Sequence, residues 1–299
     1  MDIVITGSNG LIGSALRSAL EAKGHRPIAM VRRAPRAGAD EIQWDIASGK
    51  IDGEALDGVD GVVHLAGAGI GDKRWNASYK KLVLESRTKG TSLLASTLAG
   101  LNSPPKSFLS GSAIGYYGDR GDETLTEQSA AGSGFLAEVC VKWEAAAQST
   151  IDAGISTTFL RTGIVMTPKG GALKKLLPLF RLGVGGRFGS GQQYMSWISL
   201  DDEVAAIVHL LENSVPGPVN LTAPNPVTNA EQTSVLGKVL GRPTFVPVPA
   251  FGPRLLLGTE MANALLFDSA RVEPTKLLAS GFDFRHPTLE AGLRSVLGK

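Results

Sequence analysis

DIVITGSNGLIGSALRSALEAKGHRPIAMVRR, residues 2–33, is the stretch that decides the fold. Ile3, Val4 and Ile5 are β-branched and predict a buried strand. Gly7, Gly10 and Gly13 follow at once. An amphipathic segment then runs from about Leu11 to Lys23, with Leu11, Ala15, Leu16, Ala19 and Leu20 on one face. Gly24 is placed to end it as a left-handed cap. A second apolar run, Ile28 to Val31, closes at Arg32 and Arg33. Strand, glycine turn, helix and strand in this order form the opening βαβ unit of a dinucleotide-binding fold.

Each glycine has a physical task. Gly7 permits the tight turn, Gly10 lets backbone approach a pyrophosphate, and Gly13 lets the helix lie close to the sheet. The helix N-terminus offers unpaired N–H groups and a positive dipole end to phosphates. The spacing is G-x-x-G-x-x-G rather than G-x-G-x-x-G, so the strand–turn–helix–strand context carries the reading. It makes Thr6, Gly7, Asn9, Gly10, Leu11, Ile12 and Gly13 cofactor-binding candidates. The end of the second strand selects the cofactor: a carboxylate suits the ribose hydroxyl of NAD, an arginine the 2′-phosphate of NADP. With Arg32 and Arg33 there and no carboxylate before Asp40, the position predicts NADP(H), since guanidinium matches phosphate geometry. The plain alternative is a solvated arginine pair.

The 299 residues suffice for one large or two modest domains. A net charge of +2 gives no general case for nucleic acid or membrane partners. The single Cys140 excludes an intramolecular disulfide, and no apolar run reaches spanning length. Met1 stands next to the first strand, which leaves no room for a signal peptide. A cytoplasmic, reducing setting is therefore expected.

Beyond Arg33 the chain alternates strand and helix. Residues 41–45 read as a short strand ending at Asp45, which either faces an adenine or caps a turn. Residues 61–67, GVVHLAG, predict a buried strand, and its end at Leu65, Ala66 and Gly67 is small enough for a ribose to lie across it. His64 reads as a packed strand residue rather than a metal ligand. A long helix is expected over 76–99, where Arg87 either faces the cofactor or caps an exposed face. The 106–112 strand runs into SGSAIGYYG (110–118), putting Ser112 at the carboxyl end of a central strand, where open α/β sheets bind ligands.

With those residues in view, the chain resembles the extended short-chain dehydrogenase/reductase superfamily, and within it the epimerase/dehydratase-like epimerase family. TGSNGLIG (6–13), VVHLAG (62–67), KRW…ESRTKGT (73–91), SGSAIGYYG (110–118), KWE (142–144), LRTGIV (160–165), GSGQQYMSWISLDD (189–202) and NLTAPNPVTNAE (220–231) carry the resemblance, which covers essentially the whole chain. It implies a Rossmann-type doubly wound parallel sheet over 1–222 and a small, mostly helical C-terminal substrate lobe over 223–299, with 167–193 contributing to that lobe. It also implies that Arg161 and Gly163 line the nicotinamide side, and a possible homodimer through helices at about 76–99 and 135–153.

One departure matters. The superfamily's Y-x-x-x-K pair supplies a phenolate base whose pKa the lysine lowers. Here the helix reads GFLAEVCVKWE (134–144). Aligned on Glu144, Leu136 and Cys140 occupy the two positions; aligned on Lys142, Glu138 replaces the tyrosine. Neither alignment restores the pair. Ser112, Tyr116 and Lys142 are then the catalytic candidates, beside Tyr117, and Cys140 reads as a small core hydrophobe. The expectation is an NADP(H)-dependent oxidoreductase acting on a small-molecule carbonyl or alcohol. A silent NADP(H)-binding sensor and a nucleotide-sugar epimerase/dehydratase are the alternatives.

The later chain predicts a strand over 155–165 and an amphipathic helix over 172–181, broken or kinked at Pro178. Lys174, Arg181 and Arg187 are a solvated edge or contacts for a substrate anion. GVGGRFGSG (183–191) reads as a mobile cover. Ser199 reads as an N-cap, with Asp201, Asp202 and Glu203 in a first helical turn rather than on a metal. In the C-terminal lobe a helix is expected over 229–240, a short strand over 244–248, an apolar helix around 254–267 and a closing helix from Leu289.

Overall fold

The apolar runs pair into one sheet. The computed structural model describes residues 1–299. In chain order its elements are β1 (Asp2–Thr6), α1 (Leu11–Ala22), β2 (Arg26–Val31), β3 (Glu41–Asp45), β4 (Lys50–Ile51), β5 (Gly61–His64), α2 (Ala77–Ala99), β6 (Ser107–Ala113), β7 (Thr124–Leu125), α3 (Phe135–Ala145), α4 (Gln148–Asp152), β8 (Ser156–Thr162), β9 (Ile164–Met166), α5 (Gly171–Arg181), β10 (Tyr194–Met195), β11 (Trp197–Ser199) and α6 (Leu200–Glu212). They continue with β12 (Gly217–Leu221), β13 (Val227–Thr228), α7 (Asn229–Leu240), α8 (Phe251–Leu257), α9 (Thr259–Ala262), β14 (Arg271–Val272), α10 (Thr275–Ala279) and α11 (Leu289–Leu297).

The sheet has eight strands in the order β12-β8-β6-β5-β1-β2-β3-β4. Every pair is parallel except β3 with β4. Chain order reverses at β1, and the carboxyl ends of β1 and β5 therefore bound the ligand crevice of a doubly wound sheet. Alternation along the strands builds two cores. Ile3 and Ile5 face one side with Leu16 and Leu20 of α1 and Ile207 and Leu210 of α6. Val4 faces the other side with Trp44, Phe108, Leu94 and Leu98. A third cluster joins Leu173, Leu177 and Phe180 of α5 to Leu236 of α7 and Leu289 and Leu293 of α11. The C-terminal portion is thus mostly helical, and α5 packs with it. No helix is long and apolar enough to cross a membrane.

Five local expectations are revised. The 155–165 strand breaks at Gly163, where a Cβ would lie 2.8 Å from the Ser196 carbonyl oxygen. The chain then leaves the main sheet and pairs β9 with β11. The 244–248 strand reduces to one bridge between Phe188 and Val248, because Pro243, Pro247 and Pro249 lack ladder donors. The 254–267 helix divides into α8, α9 and a π-helical turn, Asn263–Phe267. Helix α5 runs through Pro178 without a restart. The 183–191 segment is no loose cover either. Gly189 N–H donates to the Val248 carbonyl, Val248 N–H to Arg187 and Ala230 N–H to Gly191.

Ser199 does cap α6, its Oγ accepting from Asp202 N–H at 3.1 Å. In the acidic turn behind it Asp201 is exposed, whereas Asp202 and Glu203 are buried. Asp202 accepts N–H donors from Arg285 (2.9 Å) and His286 (3.0 Å), which fastens the C-terminal segment to the helix start. Glu203 accepts from Thr162 Oγ1 at 2.9 Å, and its other oxygen has no partner. Burial outweighs that single hydrogen bond and pushes the Glu203 carboxyl up to about 8. The folded protein therefore holds a proton that the unfolded chain releases near its ordinary 4.5. The linked stability is complete below that value and is lost as pH rises toward 8. Glu203→Gln is expected to match wild type near pH 5 and to exceed it by up to roughly 4 kcal/mol at pH 8. Urea unfolding across pH checks this, and a pH-independent difference would refute it.

Candidate functional site

The crevice begins at the glycine turn. Gly7 has φ +66°, and a Cβ there would lie 2.9 Å from the Leu65 carbonyl carbon. A Cβ on Gly13 would overlap the Gly7 carbonyl oxygen. Bare backbone at these positions is what lets β1, α1 and the end of β5 converge. Gly10 opens α1 with no side-chain cap, and the first turn carries no acid. Its N–H donors and positive dipole end are left for an anion. Asn9 is exposed beside it. Leu11 and Ile12 are half-buried, Leu11 against Gly170 and Ile12 against the core, so the side chains pack while the helix start faces the crevice. This cradle fits a dinucleotide pyrophosphate.

Thr6 is fully buried, so it shapes the crevice from within rather than facing a ligand. Its Oγ1 accepts N–H donors from Leu65 and Ala66, both at 3.1 Å, and lies 2.7 Å from His64 Nδ1. His64 is packed between Trp44 and Phe108, and burial, then the charge of Arg87, lowers its pKa to about 4. It is a neutral strand residue, as expected. Arg87 is half-buried and does not cap an exposed face. Its guanidinium donates to the carbonyls of Ala68 (2.9 Å) and Val83 (3.0 Å), lies over the Trp143 ring, and supports the loop at Gly67 from below.

At the end of β2 the two arginines differ. Arg33 makes a bidentate pair with Glu41, at 2.5 and 2.8 Å. The hydrogen bonds from Arg33, then from the Arg36 backbone, hold the Glu41 carboxyl down to about 2. Arg32 is exposed and has no carboxylate partner. Asp45 is withdrawn from the adenine role. Its carboxylate accepts from Ser48 Oγ at 2.7 Å and from the N–H groups of Ala47 and Ser48, capping the turn into β4.

The ends of β6, β8 and β12 are tied together by one chain of hydrogen bonds. Register places Ser112 beside Arg161 and Arg161 beside Asn220. Ser112 Oγ donates to Glu144 Oε1 at 2.7 Å. Arg161 donates to both Glu144 oxygens, at 2.8 and 2.9 Å, and to the Tyr117 hydroxyl at 3.0 Å. Tyr117 in turn donates to Asn220 Oδ1 at 2.7 Å. Arg161 is therefore not available to a nicotinamide. It is 3% exposed, and although burial opposes its charge, Glu144 more than offsets this and raises its pKa. Burial raises the Tyr117 pKa, so this phenol stays protonated. Tyr116 is different: its half-buried ring lies 3.4 Å from the Arg161 guanidinium carbon, and its hydroxyl has no protein partner.

The two alignments fall on different sides of helix α3. Leu136 and Cys140 face Gly115 behind the Ser112 strand end, while Lys142 sits half-exposed on the other side, paired with Glu138 at 2.5 Å. Lys142 is thus withdrawn as a catalytic candidate. Cys140 Sγ donates to the Ala113 carbonyl at 3.6 Å, and burial pushes its thiol up to about 11, so it is an inert core group. Sequence reading missed three residues. Glu144 and Glu41 have roles that exist only through partners 17 and 8 positions away in the chain. Arg271 is half-buried over the Tyr194 ring, has no carboxylate partner, and its Nε is buried without a hydrogen bond.

A model of the NAD dependent epimerase/dehydratase family matches residues 3–222, and a domain of unknown function matches residues 248–296. An epimerase family protein of Mycobacterium bovis, Mb2239, is 42% identical over 292 residues, covering 97% of this chain and 96% of that protein. The Homo sapiens epimerase family protein SDR39U1 is 35% identical over 301 residues, covering 99% of this chain and 100% of that protein. A crystal structure of human SDR39U1 (isoform 2) with NADPH matches with a TM-score of 0.91 at 34% identity, covering 100% of this chain and 99% of that one. MoeE5 in complex with UDP-glucose and NAD shares the fold, with a TM-score of 0.78 at 20% identity, covering 100% of this chain and 98% of that one.

The buried pair makes a sharp test. Glu144→Ala leaves Arg161 uncompensated and is expected to cost about 3–5 kcal/mol in urea unfolding. The combined Glu144→Leu and Arg161→Met replacement is expected to recover most of that loss, because the charge goes with its partner. Equal losses in both variants would show that the network does not act through charge pairing.

Proposed function

The chain belongs to the NAD dependent epimerase/dehydratase family, and on that footing we propose that it binds NADP(H) and acts as an atypical short-chain dehydrogenase/reductase on a carbonyl or alcohol substrate. The observation that carries this reading is the glycine cradle of residues 7–13 set beside an unpaired Arg32 at the end of β2. The start of α1 receives the pyrophosphate, Arg32 the 2′-phosphate, and Leu65, Ala66 and Gly67 a ribose. Arg33 adds positive charge nearby but keeps its own carboxylate. When bound, the cofactor supplies or accepts a hydride.

The proton belongs to this chain's residues. Tyr116 is the phenol with an uncommitted hydroxyl at the β6 end, and it exchanges a proton with the substrate oxygen. Ser112, its own proton held by Glu144, offers lone pairs that orient a substrate hydroxyl. Arg271, without a carboxylate of its own, meets an anionic part of the substrate from the 223–299 lobe. The exposed Leu82 of α2 and Val141 of α3 support a homodimer through those helices. The buried, unpaired Cys140 suits a cytoplasmic setting.

Isothermal titration with NADPH and NADH tests the cofactor. Arg32→Ala is expected to weaken NADPH by about 10–100-fold, the worth of a charge-assisted phosphate contact, and to leave NADH unchanged. Failure of wild type to bind either nucleotide would overturn the proposal. With a carbonyl panel and NADPH, Tyr116→Phe is expected to lower turnover by about 10²–10⁴-fold at unchanged NADPH affinity. Tight NADPH binding with no wild-type turnover on any carbonyl would support a silent sensor instead.

A further inference from the structure

Thirteen large apolar side chains stand exposed, and eight of them fall within 179–184 and 245–256. The two stretches lie side by side. Gly189 N–H reaches the Val248 carbonyl at 3.0 Å, Val248 N–H reaches Arg187 at 2.8 Å, and a Cβ on Gly183 would touch Pro243 at 3.6 Å. Helix α8 has no buried residue, and its Phe251, Leu255 and Leu256 are all more than 70% exposed. Phe245 is 91% exposed and Leu182 is 76% exposed. Side chains this bare stand out from the surface and do not line a groove.

The charge around them is one-sided. Residues 153–200 contain no Asp or Glu, and neither do residues 232–259. Lys174, Arg181, Arg187, Arg242 and Arg254 are exposed there, and none has a carboxylate within ion-pair distance, whereas Lys238 is held by Glu290. The whole-chain balance of +2 averages this asymmetry away.

We propose that this face docks on a lipid bilayer bearing anionic headgroups. Phe245, Phe251 and Leu182 enter the headgroup–acyl boundary, and the surrounding arginines and lysines meet the phosphates. Apolar area and cation–headgroup attraction together are what set interfacial binding. Two other occupants fit less well. A second copy packed on the same patch would oppose like charges, with no acid in either stretch to neutralise them. An amphipathic peptide helix needs a groove, and these side chains protrude.

The test is co-sedimentation of the full chain with vesicles of phosphatidylcholine alone and of phosphatidylcholine mixed with phosphatidylglycerol. Binding to the mixed vesicles is expected to be about tenfold or more stronger, and to weaken as salt rises past physiological strength. The Phe245→Ser, Phe251→Ser double variant and the Arg181→Glu, Arg242→Glu double variant are each expected to lose about tenfold in that binding. Both are expected to keep the wild-type melting temperature, since the four side chains are exposed. No binding to mixed vesicles, equal binding to both kinds, or binding that survives both double variants would overturn the proposal. So would self-association in sedimentation equilibrium that the phenylalanine replacements abolish, which assigns the face to a second copy.

Discussion

A glutamate and an arginine buried against each other, Glu144 and Arg161, set the geometry of everything at the carboxyl edge of the sheet. Two opposite charges withdrawn from water persist only when each is fully matched, and here the match is bidentate. The remaining donors and acceptors are matched in turn by Ser112, Tyr117 and Asn220. The network thereby fixes one arrangement of three parallel strands and one helix. It also fixes Tyr116, whose ring lies against the free face of the same guanidinium. A planar cation held on its edge by a carboxylate still offers its face to an aromatic ring.

That arrangement explains how the crevice tolerates the missing tyrosine–lysine pair. Leu136 and Cys140, which take the two positions when α3 is aligned on Glu144, are both apolar in effect, since the Cys140 thiol is pushed far above neutrality. An unpaired lysine at such a buried site would need a carboxylate. The nearest one, Glu144, is already committed to Arg161. The buried polar network instead ties the strand ends together, and Tyr116, whose hydroxyl has no protein partner, follows the β6 terminus. The general principle is that a buried charge network excludes further charges from its surroundings unless they arrive in pairs.

Most of the scaffold was legible in the sequence because it rests on local rules. Short apolar runs placed β1, β2 and β5, and positive φ at Gly7 and Gly24 followed from turn and cap chemistry. The N-cap at Ser199 was readable for the same reason. Expectations failed where a residue's role depends on a partner brought in by folding. Arg33 and Arg32 are adjacent and chemically identical, yet Glu41 on the neighbouring strand takes only the first. Lys142 was drawn into the catalytic set by its place in KWE, but its side of α3 carries Glu138 one turn earlier. Arg87 and Arg161 were read as cofactor-side residues, yet their guanidinium groups bond protein carbonyls or a carboxylate.

Partner accounting therefore sorts the arginines of this chain better than their position in any motif does. Arg33 and Arg161 are held by carboxylates and Arg87 by two backbone carbonyls, and they act as braces. A brace is a poor ligand contact, because binding would first have to break the bonds that hold it. Arg32, just past the end of β2, and Arg271, in β14, have no carboxylate partner and carry no such constraint. A free cation raises the local potential around it, and this favours an anionic ligand. The phosphates of NADP(H) are ligands of that kind.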